Sequence, residues 1–329
     1  MTGCSMHWFC DFSCSVAGSV GLRNFAIFDV LHWGPRNKGD CYRIMSSQTE
    51  SLINASIQFE AVTYSVNGTS RSPASDSGLG RNSKAKILVD NINFSIAEGE
   101  TVVLLGRSGS GKTTLLRLIN RMVEPSSGAV LVEGRATTEW DPYKLRRGIG
   151  YVIQEAGLFP HFTVAENIAL VPTLEKWDAA RISTRVTELL KLVGLNPHDF
   201  AARFPRELSG GQRQRVGVAR ALAADPQILL MDEPFGALDP VTRAELQREF
   251  AELAKRLGKT IVFVTHDLRE GLLLASRIVM LQKGKIAAIE TPEEFLKLEH
   301  PEVQAFAASL AGDEHASSSG PGDGTGENA

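Results

Sequence analysis

The chain has 329 residues, with 35 Lys plus Arg against 38 Asp plus Glu and a formal net charge of −3. At roughly 150 residues per domain this length allows about two domains, and so small a charge excludes a general polyelectrolyte surface for nucleic acid or acidic lipid. Hydrophobic residues at 43% and charged residues at 22% give a globular balance, and no apolar run nears the ~18 residues needed to cross a bilayer, so any membrane role is peripheral.

Residues 1–56 form an N-terminal extension unlike the rest of the chain. Cys4, Cys10, Cys14 and Cys41 are all the cysteines of the chain, which leaves the remainder independent of disulfides and suited to a reducing compartment. Together with His7 they lack the paired C-x-x-C units of structural zinc sites. Met1 to Cys10 carries no Lys or Arg, which argues against a secretory signal. The segment is either an unstructured extension or sequence lying before a true start at Met45.

Ile57 to Tyr64 alternates apolar and polar residues and predicts a strand, followed by a Ser/Gly/Asn-rich loop from Asn67 to Ser83. Thr101 to Leu105, Ile228 to Met231 and Ile261 to Val264 are apolar without alternation, as strands of a parallel sheet covered on both faces must be. After the first of these, Leu115, Leu118, Ile119 and Met122 share one predicted helix face. The class is α/β. Residues 312–329 are mostly Ser, Gly and acidic residues with one Pro and no Lys or Arg, the composition of a disordered tail.

Chemistry concentrates at the ends of the predicted strands. Gly106-Arg107-Ser108-Gly109-Ser110-Gly111-Lys112-Thr113-Thr114 fits G-x-x-x-x-G-K-[ST] between a strand and a helix. Its glycines let successive N–H groups face phosphate oxygens, Lys112 reaches the β- and γ-phosphates, and the Thr113 hydroxyl ligates Mg²⁺. The second apolar strand ends in Asp232 and Glu233. Adjacent carboxylates on a surface turn would be unremarkable, but at a buried strand mouth Asp232 can hold Mg²⁺ and Glu233 can polarise an attacking water. The third strand ends at His266. A lone histidine is more often structural; beside the other two strand ends it is a γ-phosphate contact. Gln154 offers an amide near Mg²⁺ and the water. Ser209, Gly210, Gly211 and Gln212 open a further helix and make a second anion site, which has a use if it closes over the nucleotide held by another copy of the chain.

From about Ile57 to Leu310 the sequence resembles the ATP-binding subunit of an ABC transporter. Walker A lies at Gly106 to Thr113, the Q-loop at Gln154, the LSGGQ signature at Leu208 to Gln212, Walker B at Ile228 to Asp232, the catalytic glutamate at Glu233, the D-loop at Ala237 to Asp239 and the switch histidine at His266. The resemblance implies a P-loop NTPase cassette over 57–311, with a mainly parallel sheet core, an antiparallel β part and a helical subdomain inserted at about 157–225. It also implies ATP and Mg²⁺, a head-to-tail homodimer, an integral membrane permease, indirectly an extracytoplasmic solute-binding protein, and a peripheral place on the cytoplasmic face of the inner membrane. No nucleic-acid partner is expected. In this family an aromatic near the first strand stacks on adenine. Here Val66 stands at its usual place, and Tyr64 is the nearby substitute.

Asn120 to Pro125, Ile149 to Gln154, Gly157 to His161 and Ala224 to Pro226 resemble more narrowly the quaternary-amine importers of the glycine betaine and choline class. Importers of amino acids or inorganic ions share much of this wording, and non-transport ABC ATPases or a module that senses ATP without hydrolysing it are the rivals. The expected activity is transport-coupled ATP hydrolysis. Regulation by the paired domains that extend some osmoprotectant ATPases is not expected in so short a tail.

Overall fold

The computed structural model describes residues 55–66, 85–154 and 156–308. The extension, the 67–83 loop and the tail expected from sequence lie outside or almost outside them. Two sheets form. The first is antiparallel in the order β2-β1-β4-β5, from β1 (Ala55–Val66), β2 (Lys86–Ala97), β4 (Ser127–Val132) and β5 (Arg135–Ala136). The second has the order β10-β9-β3-β8-β7-β6, from β3 (Thr101–Leu105), β6 (Ile149–Val152), β7 (Ile228–Asp232), β8 (Thr260–Thr265), β9 (Arg277–Gln282) and β10 (Lys285–Glu290). It is parallel from β9 through β6, and only β10 runs antiparallel.

The three non-alternating runs are β3, β7 and β8, buried on both faces. In β7 and β8, Leu230, Val262 and Val264 point into one core while Leu229, Met231, Ile261 and Phe263 point into another. Helix α1 (Lys112–Ile119) places Leu115, Leu116, Leu118 and Ile119 in the first core, together with Ile57 and Phe59 of the antiparallel sheet. Five α-helices lie in the 142–221 stretch: α2 (Pro142–Gly148), α3 (Val164–Leu174), α4 (Ala179–Leu192), α5 (Pro197–Phe200) and α6 (Gly210–Ala221). Ile168 of α3, Leu189 of α4 and Val216 of α6 share the second core with the far face of the parallel sheet. The chain continues through α7 (Pro240–Leu257), α8 (Leu268–Leu274) and α9 (Pro292–Phe295).

Two local expectations need correction. Met122 is not on the buried face of α1; it is 51% exposed and lies beyond the helix end. Arg121 turns left-handed at φ 52°, its N–H bonding Leu118 O at 3.3 Å while Met122 N–H bonds Arg117 O at 2.8 Å. That is the Schellman termination, here made by an arginine where glycine is commonest. The alternation in β1 also breaks. A bulge at Ala61, φ 47°, pairs it out of register so that Val62 is buried and Ala61 exposed.

Gly128 of β4 faces that bulge with φ 77°, and a Cβ there would strike the carbonyl oxygens of Glu60 and Ala61. A Gly128→Ala chain is expected to lose about 2 kcal/mol or more of stability, read as a lower urea midpoint with an unchanged m-value.

Candidate functional site

The motif residues emerge along one edge of the parallel sheet. Residues 106–114 follow β3, Thr265 and His266 close and follow β8, Asp232 and Glu233 close and follow β7, and Gln154 comes two residues after β6. Since these four strands are neighbours in the order β3-β8-β7-β6, residues separated by over a hundred positions converge.

In the loop after β3, Gly111 caps α1 with φ 106°, where a Cβ would come within 2.8 Å of Leu88 O. Only glycine suits both the dihedral and the space. Lys112 is 4% exposed, and its Nζ donates to Gly106 O at 2.6 Å and Arg107 O at 3.1 Å. Burial lowers its pKa, against the pull of Glu233 and Asp232. Ser110 Oγ is buried and makes no hydrogen bond. Thr113 Oγ1 donates to Asp232 Oδ1 at 2.9 Å. A hydroxyl and a carboxylate side by side are hard oxygen donors, which fits Mg²⁺. Among the described residues no group of three His, Cys, Asp or Glu could hold a metal by itself, so phosphate oxygens would have to complete such a site.

Burial raises the Asp232 pKa, the Thr113 hydrogen bond opposes this, and the adjacent Glu233 charge adds to the rise. Glu233 has φ 44°, a left-handed conformation unusual outside glycine, yet its N–H still extends the ladder to Val264 O at 3.0 Å. The strand thus ends with the carboxylate turned out of the sheet and set against His266, Oε2 to Nδ1 at 3.3 Å. His266 stays largely exposed, with 61% of its side chain accessible.

The loop expected to make a second anion site is pre-shaped. Ser209 caps α6, accepting Gln212 N–H at 3.2 Å, while Ser209 N–H donates to Gln212 Oε1 at 2.9 Å, a reciprocal capping box. Gly210 packs near Leu238 and Gly211 near Thr242, where larger residues would crowd. Asp239 caps α7 by accepting Thr242 N–H at 3.1 Å, and that bond holds its carboxyl below the usual range. Gln154 and Asp239 are exposed. Tyr64 is half-buried against the core around α1, opposite Val89, and Val66 is 43% exposed.

Sequence reasoning missed several polar residues. Tyr151 lies beside Asp232 and Arg117; burial and then the Asp232 charge raise its phenol, while Arg117 opposes the rise. Asn167, wholly buried, accepts Phe159 N–H at 2.8 Å and donates to the carbonyls of Phe159, Phe162 and Thr163, framing the 159–163 loop. Arg220 of α6 donates to Ala156 O at 2.7 Å and Gly157 O at 2.8 Å. A guanidinium inside the apolar pattern of Val216 to Ala223 is the one sequence signal that could have exposed this tie.

An ABC transporter family model matches residues 89–236. The chain is 55% identical over 212 residues to the glycine betaine/carnitine/choline transport ATP-binding protein of Bacillus subtilis, covering 64% of this chain and 56% of that protein. It is 46% identical over 225 residues to a probable sulfate/thiosulfate import ATP-binding protein of Chlorella vulgaris, covering 68% of this chain and 92% of that one. Among solved structures it is similar to a dimeric post-hydrolysis state of the ATP-binding cassette MJ0796 bound to ADP and Pi, at 34% identity and TM-score 0.60, over 72% of this chain and 98% of that one. The chain belongs to the ABC transporter family of ATP-binding cassettes. Its quaternary-amine likeness is the narrower one, though the chain spans only about half the length of the first such relatives it matches, 55% and 56%. No helix among the described residues is long and apolar enough to cross a membrane.

Two substitutions check this geometry. Ser209→Ala removes one half of the capping box and is expected to cost about 1 kcal/mol of stability by chemical denaturation. For Asp232, a raised folded-state pKa means that the native chain binds this proton more readily than the unfolded chain. Its contribution therefore falls as pH rises from the ordinary carboxylate range through that raised value. Asp232→Asn is expected to remove that part of the decline, so that without nucleotide or Mg²⁺ the variant melts higher than the parent at neutral pH.

Proposed function

We propose that the chain is the ATP-hydrolysing subunit of an importer that takes up a quaternary amine such as glycine betaine or choline through a separate integral membrane permease. The observation that carries the hydrolytic part is the convergence of the Thr113–Asp232 and Glu233–His266 pairs at one sheet edge. The cargo assignment rests on the 55% identity to a transport ATP-binding protein for such amines.

In this proposal the N–H groups of Gly106, Arg107, Ser108, Gly109, Ser110 and Gly111 cradle the phosphates, with Thr114 N–H beside them. Lys112 exchanges its bonds to Gly106 O and Arg107 O for β- and γ-oxygens. Tyr64 is the aromatic of β1 available to adenine. Thr113, Asp232 and Gln154 would hold Mg²⁺, which when bound offsets the negative charge of the phosphates. Glu233 takes a proton from the attacking water as its oxygen bonds the γ-phosphorus and the bond to the β-phosphate oxygen breaks, leaving ADP and phosphate. His266 holds Glu233 in place and donates toward the γ-phosphate.

A second copy completes each site head to tail. Ser209, Gly210, Gly211 and Gln212 of one copy would close on the γ-phosphate held by the other, with Asp239 at the seam. ATP does work because its affinity differs between closed and open dimers. The permease would dock on the loop framed by Asn167, where Phe159 and Phe162 are exposed with ring centroids 5.4 Å apart. Cargo would arrive from an extracytoplasmic binding protein, with this subunit on the cytoplasmic face of the inner membrane. The similarity to a sulfate/thiosulfate import protein favours an inorganic ion as the second reading.

Glu233→Gln should lower steady-state phosphate release by about 10²-fold or more while the protein accumulates as an ATP-bound dimer on size exclusion. Rapid turnover by that variant would refute the assigned base. Co-purification with the permease, followed by solute-retention measurements on its binding protein, tests the cargo: retention of sulfate rather than a quaternary amine selects the second reading.

A further inference from the structure

Glu270 of α8 is 5% exposed and takes no part in the chemistry proposed above. Gln247 Nε2 of α7 donates to its Oε1 at 2.8 Å, and the Thr265 side chain lies beside the same carboxylate, opposing the rise that burial gives its pKa. Thr265 Oγ1 also accepts Asp267 N–H at 2.9 Å. A hydroxyl has one proton to give and lone pairs to receive. With Asp267 N–H as its donor, Thr265 has its own proton free for Glu270. The carboxylate and Asp267 N–H thus meet Thr265 from two sides, and Thr265 Oγ1 ties the backbone across His266.

The other half of the contact runs along α7. Gln247 lies one turn beyond Arg243, whose guanidinium donates to Leu238 O at 3.0 Å and reaches Gly236 O at 3.4 Å. Those carbonyls belong to the loop between Glu233 and Asp239. Arg243 also acts electrostatically on Glu270. A buried carboxylate is costly unless its oxygens are met by donors, and here the donors come from two different elements that flank Glu233.

We propose that Glu270 is a positioning residue that couples the His266 turn to the 236–239 loop through α7, so that both flanks of Glu233 move as one unit. This rests on the reading of Glu233 and His266 as the hydrolytic pair. A merely structural role would hold α8 against α7 and leave turnover per folded molecule unchanged.

The test uses the full chain with Glu270→Ala, Glu270→Gln, Gln247→Ala and the Glu270→Ala/Gln247→Ala pair, measuring phosphate release against ATP concentration together with melting temperature. Glu270→Ala is expected to lower kcat about tenfold with KM for ATP within about twofold. Glu270→Gln, whose amide oxygen still accepts from Gln247, recovers most of that loss. The double variant is expected to be no slower than the worse single one. A wild-type kcat in Glu270→Ala, whatever its melting temperature, overturns the proposal, as do losses that multiply in the double variant. If Glu270→Ala does not fold, Gln247→Ala carries the same expectations. Absence of phosphate release from the parent chain would instead defeat the ATPase reading. In that case hydrogen exchange still decides: faster exchange at 265–268 and 236–239 together in Glu270→Ala supports the coupling, and faster exchange at 265–268 alone overturns it.

Discussion

Burial of both faces of the parallel sheet is the constraint on which the remaining architecture depends. β3, β7 and β8 have helices or a second sheet on either side, so a polar side chain within them would be desolvated without a partner. Polar chemistry can leave these strands only at their ends. With parallel strands the equivalent ends lie along one edge, and the phosphate-type loop, the two carboxylates and the histidine therefore collect there without any need for long reaching side chains.

Charge at that edge is unbalanced by design of the fold. Asp232 and Glu233 are adjacent, burial disfavours the charge on Asp232, and burial also disfavours the cation on Lys112. The groups partly answer one another, yet Lys112 is turned onto its own loop carbonyls and Asp232 leans on the Thr113 hydroxyl. Such an arrangement is less comfortable alone than it would be with a polyanion and a divalent cation, which is the usual trade between stability and function at a binding site.

The fold was legible wherever one local rule dominated. Non-alternating apolar runs became strands within a residue of their predicted limits because double burial leaves no other pattern, and Ser209 became a cap because its side chain suits an N-terminal N–H. Met122 and Ala61 were misplaced for the opposite reason. Left-handed residues at Arg121 and Ala61 end one helix and bulge one strand, and neither residue type announces a positive φ. Among the candidate site residues, those with a motif spacing were named in advance. Tyr151, Asn167 and Arg220 were not, since their roles depend on carbonyls and carboxylates brought near by tertiary packing. A satisfied buried amide such as Asn167 looks in sequence like any asparagine on a helix.

The two bonds from Arg220 to Ala156 and Gly157 have a mechanical consequence. Helix α6 has 12 residues, hence a length of about 18 Å, and it is stiff along that length. Its last turn is roped to the peptide groups beside the exposed Phe159 and Phe162, while its first turn carries Ser209 and Gln212 locked in their own cap. The helix therefore joins the aromatic loop to the glycine end through one stiff element, buried along most of its length, so that the two ends are held at a fixed spacing.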